Sequence, residues 1–267
     1  MERIRLYSMI LACLVLAACA GEDPASDPAT PATAVEVPPP SPAMARPGEM
    51  LLPDGNRLPG TAFVRKAQSW SDRLATLSHA ERLRLESLNT RYFGTLEFAS
   101  PEEQEALVDA GFPMPEEWLA ADAMSDAELE RLAKARSPKG SLFYANRELD
   151  RYLEARERLG DNRRDTDASV MHPKVEAMVY ASEALALTRS PFAAYLYGSI
   201  NAHLFQDPSY TAAALAVGWS LGDQRGRFLT RQFADTMQRR EDQKLDLGTV
   251  AAAEHLMWRH VHRYRPL

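Results

Sequence analysis

Cysteine is nearly absent from this sequence. There are two in 267 residues, Cys13 and Cys19, and none beyond them. That excludes a disulfide-stapled scaffold, a cysteine nucleophile and a thiolate zinc site from everything after residue 19. Positive charge is not in excess either: the formal net charge is -6, and basic residues are mostly interleaved with acids. A binder of phosphate backbones needs a basic stripe to release counterions, so nucleic acid is not an expected partner. Alternating β-branched runs are missing, so no strand is expected. Gly-x-Ser-x-Gly, His-Glu-x-x-His and glycine-rich phosphate cradles are all lacking, which leaves no motif implying a catalytic site, a metal or a cofactor. The longest apolar run, Leu6 to Ala18, falls short of the roughly twenty residues that cross a bilayer.

What remains is an ordinary globular composition, 45% hydrophobic and 25% charged, which excludes wholesale disorder and a polytopic membrane protein. Its distribution is uneven. Ten of the eighteen prolines fall between residues 20 and 59, dividing the chain into an apolar leader, a proline-rich stretch and a body from about residue 61.

Arg3 and Arg5 precede LYSMILACLVLAA (residues 6–18), the charged-then-apolar layout of a secretory signal. Leu16-Ala17-Ala18-Cys19 then resembles the lipobox of bacterial lipoproteins. The resemblance implies that residues 1–18 are removed as a signal peptide and that Cys19 becomes a lipidated, palmitate-type N-terminus. The membrane is then a partner through that lipid, firmly held where one acyl chain alone binds marginally. Ala20, where aspartate marks inner-membrane retention in enteric bacteria, implies the outer membrane and a protein facing the periplasm. Residues 19–60 are dominated by proline, alanine, serine and acids, too little apolar surface to offset chain entropy. They are expected to form a disordered tether that holds the body away from the membrane.

From Thr61 onward the period is helical. Phe63, Ala67, Trp70, Leu74 and Leu77 recur at threes and fours, as do Leu85, Leu88 and Tyr92. Ser78 with Glu81, Ser100 with Glu103 and Ser125 with Glu128 have capping-box spacing. Pro101, Pro138, Pro173, Pro191 and Pro208 suit first helical turns, where the missing amide hydrogen is not needed. These marks predict helices at 61–77, 79–93, 101–110, 115–123, 126–135, 138–159, 173–188, 191–205, 208–221 and 224–241, and another near 247–263. The fold class is therefore all-α, with an N-terminal helical part at 61–124 continuous with a repeat part at 125–267.

The repeat part rests on an internal alignment. Arg136-Ser-Pro-Lys-Gly140-Ser-Leu-Phe-Tyr144 matches Arg189-Ser-Pro-Phe-Ala193-Ala-Tyr-Leu-Tyr197 without gaps, and Gly222 to Thr230 more loosely. In each copy a small residue (Gly140, Ala193, Gly226) lies early in a helix, where it lets two helices approach closely, and a bulky apolar one follows two positions later. Ala193 to Gly226 is similar to the Sel-one-like branch of tetratricopeptide-type repeats. Tyr197-Gly198 occupies the family's Leu-Gly place, Asp207 precedes the second helix, Gly218-Trp219 replaces paired alanines, and Gly222 is the turn glycine. The family's glycine-rich inter-helix loop is absent, and Asn201 stands where an aromatic is common. Over residues 125–232 the resemblance implies antiparallel helix pairs stacked as a short α-solenoid; a nonrepetitive helical bundle is the alternative.

Chemistry is sparse. His255 and His262 share a helical face near Glu254 and Trp258, but zinc sites on helices use a spacing of three or four. Glu102, Glu103, Glu116, Glu117, Asp126 and Glu128 sit in first turns, where the helix dipole favours them. Between Thr95 and Ala135 eleven acids face Arg131 and Lys134, whereas Gly222 to Leu267 carries six acids against nine basic residues, so one end is negative and the other mildly positive. Tyr144, Tyr195, Tyr197 and Trp219 form the candidate binding surface, an aromatic face for an extended peptide or glycan. The expected function is a membrane-anchored envelope lipoprotein that binds another envelope protein, more a binding module than an enzyme. The alternatives are a cell-wall enzyme built on a carboxylate and histidine pocket, and a purely structural lipoprotein.

Overall fold

The computed structural model describes residues 69–159, 167–239 and 245–263. The expected signal peptide, the tether, Cys19 and residues 61–68 of the first expected helix lie outside the described residues. Among those described there are eleven α-helices and no strand, so the all-α class holds. They are α1 (Trp70–Ala75), α2 (His79–Arg91), α3 (Pro101–Asp109), α4 (Pro115–Ala123), α5 (Asp126–Lys134), α6 (Pro138–Leu159), α7 (Ala168–Thr188), α8 (Pro191–Phe205), α9 (Ser209–Ser220), α10 (Gly226–Gln238) and α11 (Leu247–His262).

Side-chain caps set most of these starts. Ser78 with Glu81 and Ser125 with Glu128 form complete capping boxes, each carboxylate accepting from the cap's own amide while the hydroxyl accepts from the third helical amide. At α3 only half the box forms: Ser100 accepts from Glu103, but the Glu103 carboxylate reaches past the cap to the amide of Ala99. Pro101, Pro115, Pro138 and Pro191 open their helices, as the rigid φ of proline allows. Pro173 does not open one. Asp167 caps α7 six residues earlier by accepting from the Ser169 amide, and Pro173 sits in the second turn, where the helical bond it removes would have gone to the exposed first turn. Pro208 is the residue before α9 rather than its first.

Two antiparallel pairs form the centre. Tyr144 of α6 meets Tyr180 of α7, and further along Tyr152 of α6 lies under Lys174 of α7, so the two helices run in opposite directions. Gly198 and Tyr195 of α8 face Ala214 and Gly218 of α9 in the same opposed sense. α5 packs on α6, α10 and α11 on α9, and α8 on α7 and α6, an order of stacked pairs compatible with a short solenoid. Contacts also run beyond nearest neighbours, since α11 lies on α7 and the N-terminal helices close over α8.

Helix α8 is the axis of the core. Twelve of its fifteen residues are buried, which explains a segment apolar around nearly its whole circumference. Phe192 is the hub, with ring centroids 5.2 Å from Tyr92, 5.4 Å from Phe112 and 6.0 Å from Trp118. These edge-on contacts join α2, α4 and the 110–114 loop to α8.

Candidate functional site

The first two Arg-Ser-Pro turns share one local geometry. Arg136 and Arg189 both adopt left-handed backbone, φ 58° and 51°, immediately before Ser-Pro. In both copies the serine hydroxyl accepts from the amide three residues on, Gly140 at 3.2 Å and Ala193 at 3.1 Å. A Cβ added at Gly140 would stand 2.8 Å from the Leu132 Cβ, and one at Gly226 2.8 Å from the Trp219 Cβ. Gly222 turns the chain at φ +112°. The third copy departs from the other two: its bulky residue, Phe228, is 63% exposed, whereas Leu142 and Tyr195 are buried.

The aromatic surface does not form as expected. Tyr144, Tyr195 and Tyr197 are buried, and of the four candidates Trp219 alone is exposed. The cause is helix pairing. Tyr195 points at Gly218, whose missing side chain makes room for the ring, and donates to the Asp223 carboxylate at 3.0 Å. Tyr144 is covered edge-on by Tyr180, with centroids 4.9 Å apart, and Tyr197 lies against His260.

His255 and His262 do not meet a third ligand, and no group of histidine, cysteine or carboxylate side chains among the described residues is arranged to hold a metal ion. His262 instead stacks on Trp258 at 5.7 Å. Titratable groups converge elsewhere, at a seam joining α2, α4, α6 and α8 that spacing in the sequence did not reveal. Arg84 bonds Asp122 and Asp150, Arg91 bonds Asp150 at 2.6 Å and Asn146 at 2.8 Å, and the Tyr92 hydroxyl donates to the same Asn146 oxygen at 2.6 Å. Burial pushes the Asp150 carboxyl up, but the attraction of Arg91 and Arg84 outweighs it and holds the group below its ordinary range. Burial, with the Arg91 charge nearby, lowers His203 to about 4, so its ring is neutral and its Nδ1 donates to the Ser199 carbonyl at 2.8 Å. Each charge in the seam has its counter-charge, which suits a fastening between helices better than a reactive centre.

A second buried group is less well matched. Glu148 is fully buried; its Oε1 accepts from Arg151, but its Oε2 has no hydrogen-bond partner. Burial raises this carboxyl more than the neighbouring Arg151 lowers it.

Surface-exposed helical faces are normally polar, and one here is not. On α7, Met171, Val175 and Val179 are 37%, 47% and 48% exposed and lie on successive turns, so they form a continuous apolar ridge. Spacing in the sequence does not reveal it, because a helix begun at Pro173 excludes Met171, and Lys174 and Glu176 flank Val175 so that exposed and buried apolar residues show no clear period. No family model, curated protein or solved structure matches this chain.

Proposed function

We propose that this protein is a lipid-anchored component of the bacterial envelope, held at the outer membrane facing the periplasm, whose helical domain receives a helix of another envelope protein along α7. The anchor rests on Leu16-Ala17-Ala18-Cys19 and the charged leader before it. Kinship of residues 125–232 with tetratricopeptide-type repeats rests on the recurring Arg-Ser-Pro turn and the glycine contacts that accompany it. What carries the binding reading is the ridge of Met171, Val175 and Val179. Residues four apart make a ridge that fits the groove of a second helix, the commonest helix-packing geometry in globular proteins.

Two measurements test the two halves of this reading. Cys19→Ser should release the protein from membranes with its helical spectrum intact; a variant that still resists a salt wash refutes the lipid. A photo-crosslinker at position 175, compared in intact cells with one at exposed position 105, should trap a discrete adduct that Val179→Lys abolishes. Equal adducts at both positions refute the ridge as an interface, and an adduct of two copies of this chain replaces the foreign helix with self-association.

A further inference from the structure

The outer face of α10 differs from that of α7 in kind. Arg227, Phe228, Arg231 and Asp235 recur at spacings of one, three and four, with Arg239 a turn further on, so all five fall within about a third of the helical circumference. All five are exposed, Phe228 at 63%, while Leu229, Phe233 and Met237 turn inward. Three arginines stand against one aspartate, and none of the three is ion-paired among the described residues. Arg225, just before the helix, is different: its guanidinium is bound to Asp223 and to the carbonyls of Thr95 and Glu97. The face is the convex outside of a helix that packs on α9 behind it, so it offers no groove for a peptide. A single aromatic ring amid unpaired arginines on a convex strip matches a flat anionic surface. The ring enters the acyl boundary while the guanidinium groups meet phosphates.

We propose that the outer face of α10 docks on anionic phospholipid, laying the C-terminal end of the domain on the membrane. The contact is weak by itself, because three arginines and one phenylalanine give modest partitioning. Here the inference leans on the lipid-anchor reading, since an anchored domain meets the bilayer at high effective concentration and a weak contact then suffices. The acidic stretch from Thr95 to Ala135 is repelled by the same surface, so the pose is polar as well as adhesive.

The chain beginning at Ala20, which keeps every described helix and lacks both leader and lipid, separates the two ideas. It is sedimented with vesicles of phosphatidylcholine alone and of phosphatidylcholine mixed with phosphatidylglycerol. Binding is expected to the mixed vesicles only and to vanish at about 0.5 M salt. The pair Arg227→Glu and Arg231→Glu should weaken it about a hundredfold, and Phe228→Ala about tenfold. Circular dichroism checks that the variants fold, and if the charge reversals do not, Arg227→Gln with Arg231→Gln is read instead. Equal binding to both vesicle types, or indifference to the arginine changes, overturns the proposal. So does competition by soluble polyglutamate as effective as that by lipid, which would make the face a site for acidic protein. Because no lipid is attached in this experiment, its failure leaves the Cys19 assignment standing, and a failed Cys19→Ser fractionation leaves this result standing.

Discussion

Gly198 of α8 lies so close to Ala214 of α9 that a Cβ on the glycine would stand 2.1 Å from the alanine Cβ and 2.7 Å from the Tyr210 carbonyl oxygen. A rigid alanine Cβ and backbone, not a flexible side-chain end, fill the space. Gly198→Ala gains about 1 kcal/mol of helix propensity but forces the two helices apart, at a cost of about 3 kcal/mol. The melting temperature should fall by roughly 4–8 °C, a shift readable by calorimetry. An unchanged midpoint would mean that α8 and α9 do not touch at this point.

Asp150 serves two arginines at once, and removing its charge leaves Arg91 without a carboxylate partner and Arg84 with Asp122 alone. Asp150→Asn should destabilise the fold by about 3 kcal/mol, the low end for a broken buried pair because the seam is partly solvated. Lys134→Ala, which breaks the exposed Lys134–Glu130 pair, should leave the urea midpoint essentially unchanged. Urea titration of the two variants side by side measures the difference; equal effects would place Asp150 in solvent.

His203 ties stability to pH in a definite direction. The folded state holds the imidazole neutral with its value lowered to about 4, against roughly 6.5 in an unfolded chain, so the unfolded state takes up the proton first. The contribution is complete above about pH 6.5 and drains away as pH falls toward 4, with a slope of at most about 1.4 kcal/mol per pH unit. His203→Gln should flatten denaturation midpoints across that window. A slope retained in full would assign the titration to another group.

Glu148 works the other way. Its carboxyl is raised by burial, so folding favours the protonated form; that contribution is present below the unfolded value near 4.3 and is lost as pH rises through the raised folded value. Glu148→Gln should therefore stabilise the protein by roughly 1 kcal/mol at pH 7 and by less at pH 4, Arg151 retaining Asp126 as its partner. Destabilisation at pH 7 would show that the Arg151 contact outweighs the burial.

Helix starts were legible because caps act locally: the serine, the carboxylate three residues on and the proline are neighbours in sequence as well as in space. α4, α6 and α8 begin and end where Pro115, Pro138 and Pro191 and the residues after them predicted. Pro173 misled because the stronger mark, Asp167 accepting from Ser169, lies at the edge of a polar stretch that reads as loop. The aromatic residues misled for a different reason. Whether Tyr195 faces a groove or a neighbour depends on Gly218, twenty-three positions away, and no spacing within α8 encodes that partner. The arginine seam was invisible on the same ground, since Arg84 and Asp150 belong together only after α2 has been laid across α6.

Arg225 spends its guanidinium on carbonyls at Thr95 and Glu97, some 130 positions earlier, while the Phe112 ring lies beneath it and Asp223, itself bonded by Tyr195, accepts from it. The loop after α2 thus lacks its donors until nearly the whole chain is available. A chain made N-terminus first has to keep α1 to α4 waiting, and exposed, while the remaining helices arrive. Residues 70 to 123 consequently keep their aromatic faces uncovered longest, which makes this stretch, rather than the last helices, the part of the chain most open to misassembly before folding is complete.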